Sequence, residues 1–219
     1  MPQVEMSAGL IDDLPPPQRL ALAYASARSR PATLALFALD ARLAAVLRAR
    51  NEPIAAQLRL AWWRDRLGEP VSGWPRGEPV LDALRSWHDP SGLAHLAAGW
   101  EALLSDTLTP AAIAEFVAGR GSAFVSLASE LGVEPLSDAG AAARIWALAD
   151  LAANISDGVE QDLVVEYGRD LVPPRLSASL RPLAVLAGLG AAALRKGGAP
   201  LLSGPRSMLL ALRIGFTGR

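Results

Sequence analysis

The sequence predicts an all-α fold, and three observations predict it. Apolar residues recur at three- and four-residue spacing along most of the 219-residue chain. Prolines and glycines mark off the segments that carry this pattern. No period-two alternation or short hairpin turn competes with it.

Residues 1–17 read as a loose leader ending in Pro15–Pro17, and residues 18–219 as one helical domain. The first helix is expected over 18–29. Pro31 suits the first turn of the next, where its missing N–H costs little, and that helix runs to about Arg50. Pro53 starts another, to about Leu67. Residues 68–79 form a turn-rich loop, expected to be exposed and mobile. Short helices follow at 80–88 and 92–104; in the second, Leu93, Leu96, Ala97, Trp100, Leu103 and Leu104 share a face. Thr109 and Pro110 form an N-cap and first-position pair for a helix reaching about Leu131. Its stripe is Ile113, Val117, Phe124 and Leu131. Gly119 and Gly121 interrupt it at about 1 kcal/mol each against alanine, which suits close helix packing or room for a long ligand. Ser137 and Asp138 are placed to cap a helix running to about Ile155, with Glu166 as the alternative end. A turn at 168–174 leads to a long helix over 178–196, stopped by Gly197 and Gly198. An amphipathic segment from Pro205 closes the chain.

Composition narrows the function. Hydrophobic residues make up 51% and charged residues 20%, a globular balance. The net charge of -1 gives no electrostatic footprint for nucleic acid. There is no cysteine, which excludes disulfides, thiolate metal sites and cysteine nucleophiles. Two histidines, His88 and His95, are too few for an ordinary zinc site or hydrolytic triad. The N-terminus lacks the basic and apolar regions of a secretory signal, and Arg or Pro breaks every long apolar run, so the expected location is the cytoplasm.

Three groups of polar residues carry the candidate chemistry. Asp40 lies on the apolar stripe of Leu36, Phe37, Leu43, Ala44 and Leu47. A carboxylate there needs a partner or a proton; an ion pair with a core arginine and a metal or diphosphate site both satisfy it. Asp150, Asn154 and Asp157 fall at i, i+4 and i+7, one helical face, either solvated or set to hold a hydrated magnesium ion. Around Trp62 and Trp63 stand Arg59, Arg64 and Arg66, suited to cation–π stacking or an anionic head group, or to covering the rim of packed tryptophans.

The runs RPATLALFALDARLAAVLRARNEP and QLRLAWWRDRL, then VAGRGSAFVSLASELG, then ARIWALADLAANISDGVEQD with GRDLVPP, follow one another in an order that resembles the squalene/phytoene synthase family. The tail LRPLAVLAGLGAAALRK and LLALRIGFTGR is similar to members of the same group. The resemblance covers most of residues 18–219. It implies an isoprenoid-synthase-like helical bundle, shortened here, with a central cavity. Active members join two prenyl diphosphates head to head, using two Asp-x-x-x-Asp motifs that hold magnesium. Divalent ions offset the charge left as diphosphate departs.

The motifs here depart from that pattern. Asp40 stands in the first, but Ala44 follows four residues later. In the second, an ungapped reading puts Gly158 and Asp162 at the aspartate positions; a one-residue shift uses Asp157 with Gln161 or Asp162. The turn keeps Gly168, Arg169 and Pro173, but Leu171 replaces its tyrosine. The resemblance therefore implies a degenerate bacterial member, akin to the branch that includes a respiratory complex I assembly factor. Its expected partner is an isoprenoid or other long-chain lipid, or a protein, with peripheral membrane contact and no nucleic acid. No cofactor is expected. The rival expectation is a working prenyltransferase with Mg2+, where Asp40, Asp150, Asp157 and Asp162, with Asn154 beside them, serve the metal and Arg59, Arg64 and Arg169 the diphosphate.

Overall fold

The computed structural model describes residues 9–48, 53–105 and 107–218. Among these residues the fold is all-α and contains no strand. The helices are α1 (Pro16–Leu22), α2 (Arg30–Arg48), α3 (Pro53–Gly68), α4 (Pro79–Leu84), α5 (Gly92–Ala102), α6 (Pro110–Glu130), α7 (Leu136–Asn154), α8 (Gly158–Gly168), α9 (Arg181–Leu194) and α10 (Pro205–Thr217). Five of them begin on proline, so the proline punctuation places helix starts well. Side chains satisfy orphan N–H groups where the sequence provides an acceptor: Glu78 Oε2 accepts from Val80 and Leu81, and Thr109 Oγ1 from Ala112.

Helix α6 is the centre of the fold, packed against α5 on one side and α7 on the other. Helix α7 also packs on α9, which carries α10, while α3 packs on α5. By length and composition α6 is apolar enough to cross a membrane; in this fold it is a core helix, with Arg120 buried at its middle. Phe37, Phe124 and Trp146 meet where α2, α6 and α7 converge, with ring centroids 5.5–6.2 Å apart.

The small residues mostly close helices together. A Cβ on Gly119 would lie 2.2 Å from the carbonyl oxygen of His95, a backbone atom that cannot step aside. At Gly121 the nearest atom would be 3.8 Å away. Gly119→Ala is therefore expected to lower stability by about 1–3 kcal/mol through overpacking. Gly121→Ala is expected to raise it by up to about 1 kcal/mol through helix propensity. Paired thermal melts check this, and equal shifts would contradict it. Ala147, Ala149 and Ala152 are likewise fully buried between helices, not on a channel wall.

Several boundaries differ from expectation. Only residues 1–8 of the leader lie outside the described residues; Leu10 and Leu14 are core residues, and Arg19 Nη2 donates to the carbonyls of Asp12 and Leu14. The helix expected over 18–29 is α1, ending at Leu22. Ser26 and Ser29 then bond each other, and Ser26 Oγ accepts from the Ser29 N–H, a local bond that competes with the helix. The end of the second expected helix, at Arg50, falls outside the described residues. Residues 68–79 are mostly exposed, as expected, but anchored: Trp74 is buried, and Arg85 donates to the carbonyls of Val71, Trp74 and Pro75. Helix α7 starts at Leu136, so Ser137 and Asp138 lie in its first turn instead of capping it. The 178–196 segment is a 3-10 turn followed by α9. Gly197 and Gly198 stop α9 with positive φ, the Gly198 N–H returning to Ala193 O.

Candidate functional site

The apolar stripe of α2 brings Asp40 inward, where only 2% of it is exposed. The stripe of α6 does the same to Arg120, 1% exposed. The two meet as a forked ion pair: Arg120 Nη2 lies 2.9 Å from Asp40 Oδ2 and 3.1 Å from Oδ1, and Nε lies 3.2 Å from Oδ1. Trp100 Nε1 from α5 donates to Oδ1 at 3.0 Å, and Gln18 Nε2 from α1 to Oδ2 at 2.9 Å. Five N–H···O contacts thus fall on one carboxylate, which offers about four lone-pair sites. The remaining arm of Arg120, Nη1, donates to Asp150 Oδ2 of α7 at 2.9 Å. Around the guanidinium stand the rings of Trp146, Phe116 and Trp100, at 4.1, 4.8 and 5.2 Å from its carbon.

Burial pushes the Asp40 carboxyl up from its ordinary range; Arg120 pulls it down, and Asp150 pushes it up. Burial works to lower Arg120, but Asp40 and Asp150 outweigh it and hold the guanidinium above its ordinary range. We favour the charged pair: arginine keeps its proton in proteins, and every hydrogen-bond partner of Asp40 donates, which suits an ionised carboxylate.

Above this pair a cavity of about 910 Å³ opens between α2, α6, α7 and the segment at 200–202. Its wall is apolar at Ala44, Leu47, Leu103, Phe116, Trp146 and Leu201. Among the described residues its charged side chains are Asp40, Asp150, Asp157 and Glu160, against Arg48 and Arg120. A shallower groove of about 450 Å³ lies between α6, α7 and α8, where Gly121 faces Gly140.

Of the residues singled out by sequence, Asp40, Asp150, Asn154 and Asp157 line the large cavity. They do not form one helical face. Helix α7 ends at Asn154, Ile155 is extended, and Asp157 caps α8, its Oδ1 accepting from Val159 and Glu160. Asn154 Nδ2 donates back to the carbonyl of Asp150. The other four are elsewhere. Arg59 is exposed on α3, off the face that buries Ala56, Leu60, Trp63 and Leu67. Arg64 pairs with Glu101 and Asp65. Asp162 is exposed on α8, which buries Val164 and Val165, and Arg169 lies just past the end of α8 beside Glu166. Among the described residues no group of three His, Asp or Glu is arranged to hold a metal ion.

Arg120 was not singled out in the sequence. Its signal was its spacing, three residues after Val117 and four before Phe124, which puts a lone arginine on the buried stripe. Comparison with known protein families, curated proteins and solved structures returns no match.

Proposed function

We propose that this chain is a catalytically silent protein of squalene/phytoene-synthase type that holds an isoprenoid or other long-chain lipid in the cavity over Asp40 and Arg120. The observation that carries this reading is the engagement of Asp40. By the resemblance, an aspartate at this place holds magnesium against a diphosphate. Here four donor nitrogens make five contacts with its oxygens, which offer about four lone-pair sites, so the carboxylate is already engaged without a metal.

The remaining donors fit a magnesium site poorly. Magnesium wants a near-octahedral set of hard oxygens. Asp150 already accepts from Arg120, and Asp157 is committed to capping α8. Among the described residues, four carboxylates stand against two guanidiniums, a balance that repels a bare diphosphate. A neutral head group meets no such repulsion, and the apolar wall suits a long chain. The volume lies within the range of about 300–1,000 Å³ for small-molecule pockets.

A working prenyltransferase is the second reading, favoured by one fact: Asp150, Asn154 and Asp157 face the same cavity as Asp40. A protein partner in respiratory-complex assembly, and a cytoplasmic location, are proposed on the resemblance and the sequence alone. Incubation with farnesyl or geranylgeranyl diphosphate and magnesium separates the first two readings. The expected pyrophosphate release equals that of a protein-free control. Sustained turnover would replace the silent reading with the enzymatic one.

A further inference from the structure

We propose that α10 is a docking helix that lays its outer face on an anionic lipid bilayer. This inference is independent of the cavity. Helix α10 is attached to the body through Ser207, Ala211 and Ile214, the residues it buries. Its opposite side is apolar as well. Met208, Leu212 and Phe216 follow one another at i, i+4 and i+8, and Leu209 lies beside them. They are 43%, 43%, 78% and 65% exposed, respectively. At 3.6 residues per turn the four cover an arc of about 100°. Neighbouring side chains of this size, exposed together, mark an interaction face.

Charge identifies the occupant. Arg206 and Arg213 are exposed along one edge of this arc, one pair of helical turns apart. Within the described residues neither guanidinium has a carboxylate partner. The helix itself holds no acidic residue. The asymmetry extends further: all 22 Asp and Glu lie at or before Asp170, and every charged side chain after it is basic. At the far end of α10, Arg181 stands against Gly218. Arg181, Arg206 and Arg213 thus stand on or against the exposed apolar helix of a chain whose net charge is -1.

An apolar arc edged by arginine is the pattern of a helix lying in the bilayer interface, with its apolar face about 5–10 Å deep among head groups and upper acyl chains. The arginines meet the negative surface potential of anionic lipids. A second copy of this chain fits less well. A two-fold pairing through α10 presents the same basic surface on both sides, with no acidic residue in either helix to receive it.

The test is co-sedimentation of the full chain with phosphatidylcholine vesicles, with and without phosphatidylglycerol. Binding is expected with phosphatidylglycerol, weakened by salt, and little without it. Arg206→Gln with Arg213→Gln is expected to weaken it about 25-fold, at about fivefold per arginine. Leu209→Ser with Phe216→Ser is expected to weaken it at least tenfold. Leu209 is 65% and Phe216 78% exposed, and Phe216 touches the body through one edge contact with Tyr24, at 5.9 Å between ring centroids, so circular dichroism should report an unchanged fold. Three results would each overturn the proposal: no binding to anionic vesicles, equal binding by parent and both variants, or a dimer in solution that Leu209→Ser with Phe216→Ser dissolves.

Discussion

Arg120→Met is expected to lower the stability of the protein by about 3–5 kcal/mol, the cost of stranding one member of a buried ion pair. Among the described residues Arg120 is the one cation bonded to Asp40, and it ties α6 to both α2 and α7. Without it, Asp40 keeps only the neutral donors Trp100 and Gln18, while the Asp150 carboxylate nearby still repels it. Asp40→Leu should cost less. Arg120 then keeps Asp150, whose side chain is 30% exposed and partly solvated, and the three surrounding rings. The double variant Asp40→Leu with Arg120→Met should recover much of the loss, because apolar groups of similar size often replace a buried pair at little cost. Urea midpoints for the four proteins close the cycle, and the coupling between the sites should be large. Asp12→Ala, at an exposed position, serves as the neutral control. Additive losses at Asp40 and Arg120 would contradict the ion-pair account.

The second large effect concerns the cavity. Ala44 and Ala153 stand on its wall and are only half-buried, so neither is locked into helix packing. Ala44→Trp with Ala153→Trp puts two indoles into a space of about 910 Å³. Loss of long-chain lipid binding is expected, with a melting temperature close to that of the parent. A fluorescent polyprenol analogue reads the first quantity and a thermal melt the second. Undiminished binding by the filled variant would place the lipid elsewhere, with the shallower groove beside Gly121 as the next place to look.

Much of this architecture was legible because its signals are local. Prolines mark helix starts through their own backbone geometry, and Gly197 and Gly198 mark a stop in the same way. Asp40 was legible as a group needing a partner, since one carboxylate interrupted an apolar stripe. Its partner was harder to see. Arg120 sits between two glycines, and only its spacing from Val117 and Phe124 places it inward. The end of α7 near Ile155 was legible, but the turn that takes Asp157 off the face of Asp150 and Asn154 was not, because no proline or glycine precedes it. Asp157 followed by Glu160 three residues later, the spacing of an N-cap and its N3 acid, was the available signal.

The arginines show where local reasoning stops. Arg59, Arg64 and Arg169 serve a diphosphate only under the rival prenyltransferase expectation, and tertiary packing turns Arg59 outward and pairs Arg64 with Glu101 of α5. Long charged side chains go where solvent and partners allow, and spacing along one helix does not fix that. The small residues were ambiguous for a related reason. The same alanines and glycines permit close packing or a channel, and only the facing atoms decide: His95 O fills the space at Gly119, while Ala153 borders the cavity.

Native mass spectrometry of the protein purified from its own host tests the central claim most directly, with Ala44→Trp/Ala153→Trp measured beside it. The account predicts a long-chain lipid retained on the parent and absent from the filled variant. A parent that carries no lipid, or a filled variant that carries the same one, would contradict it.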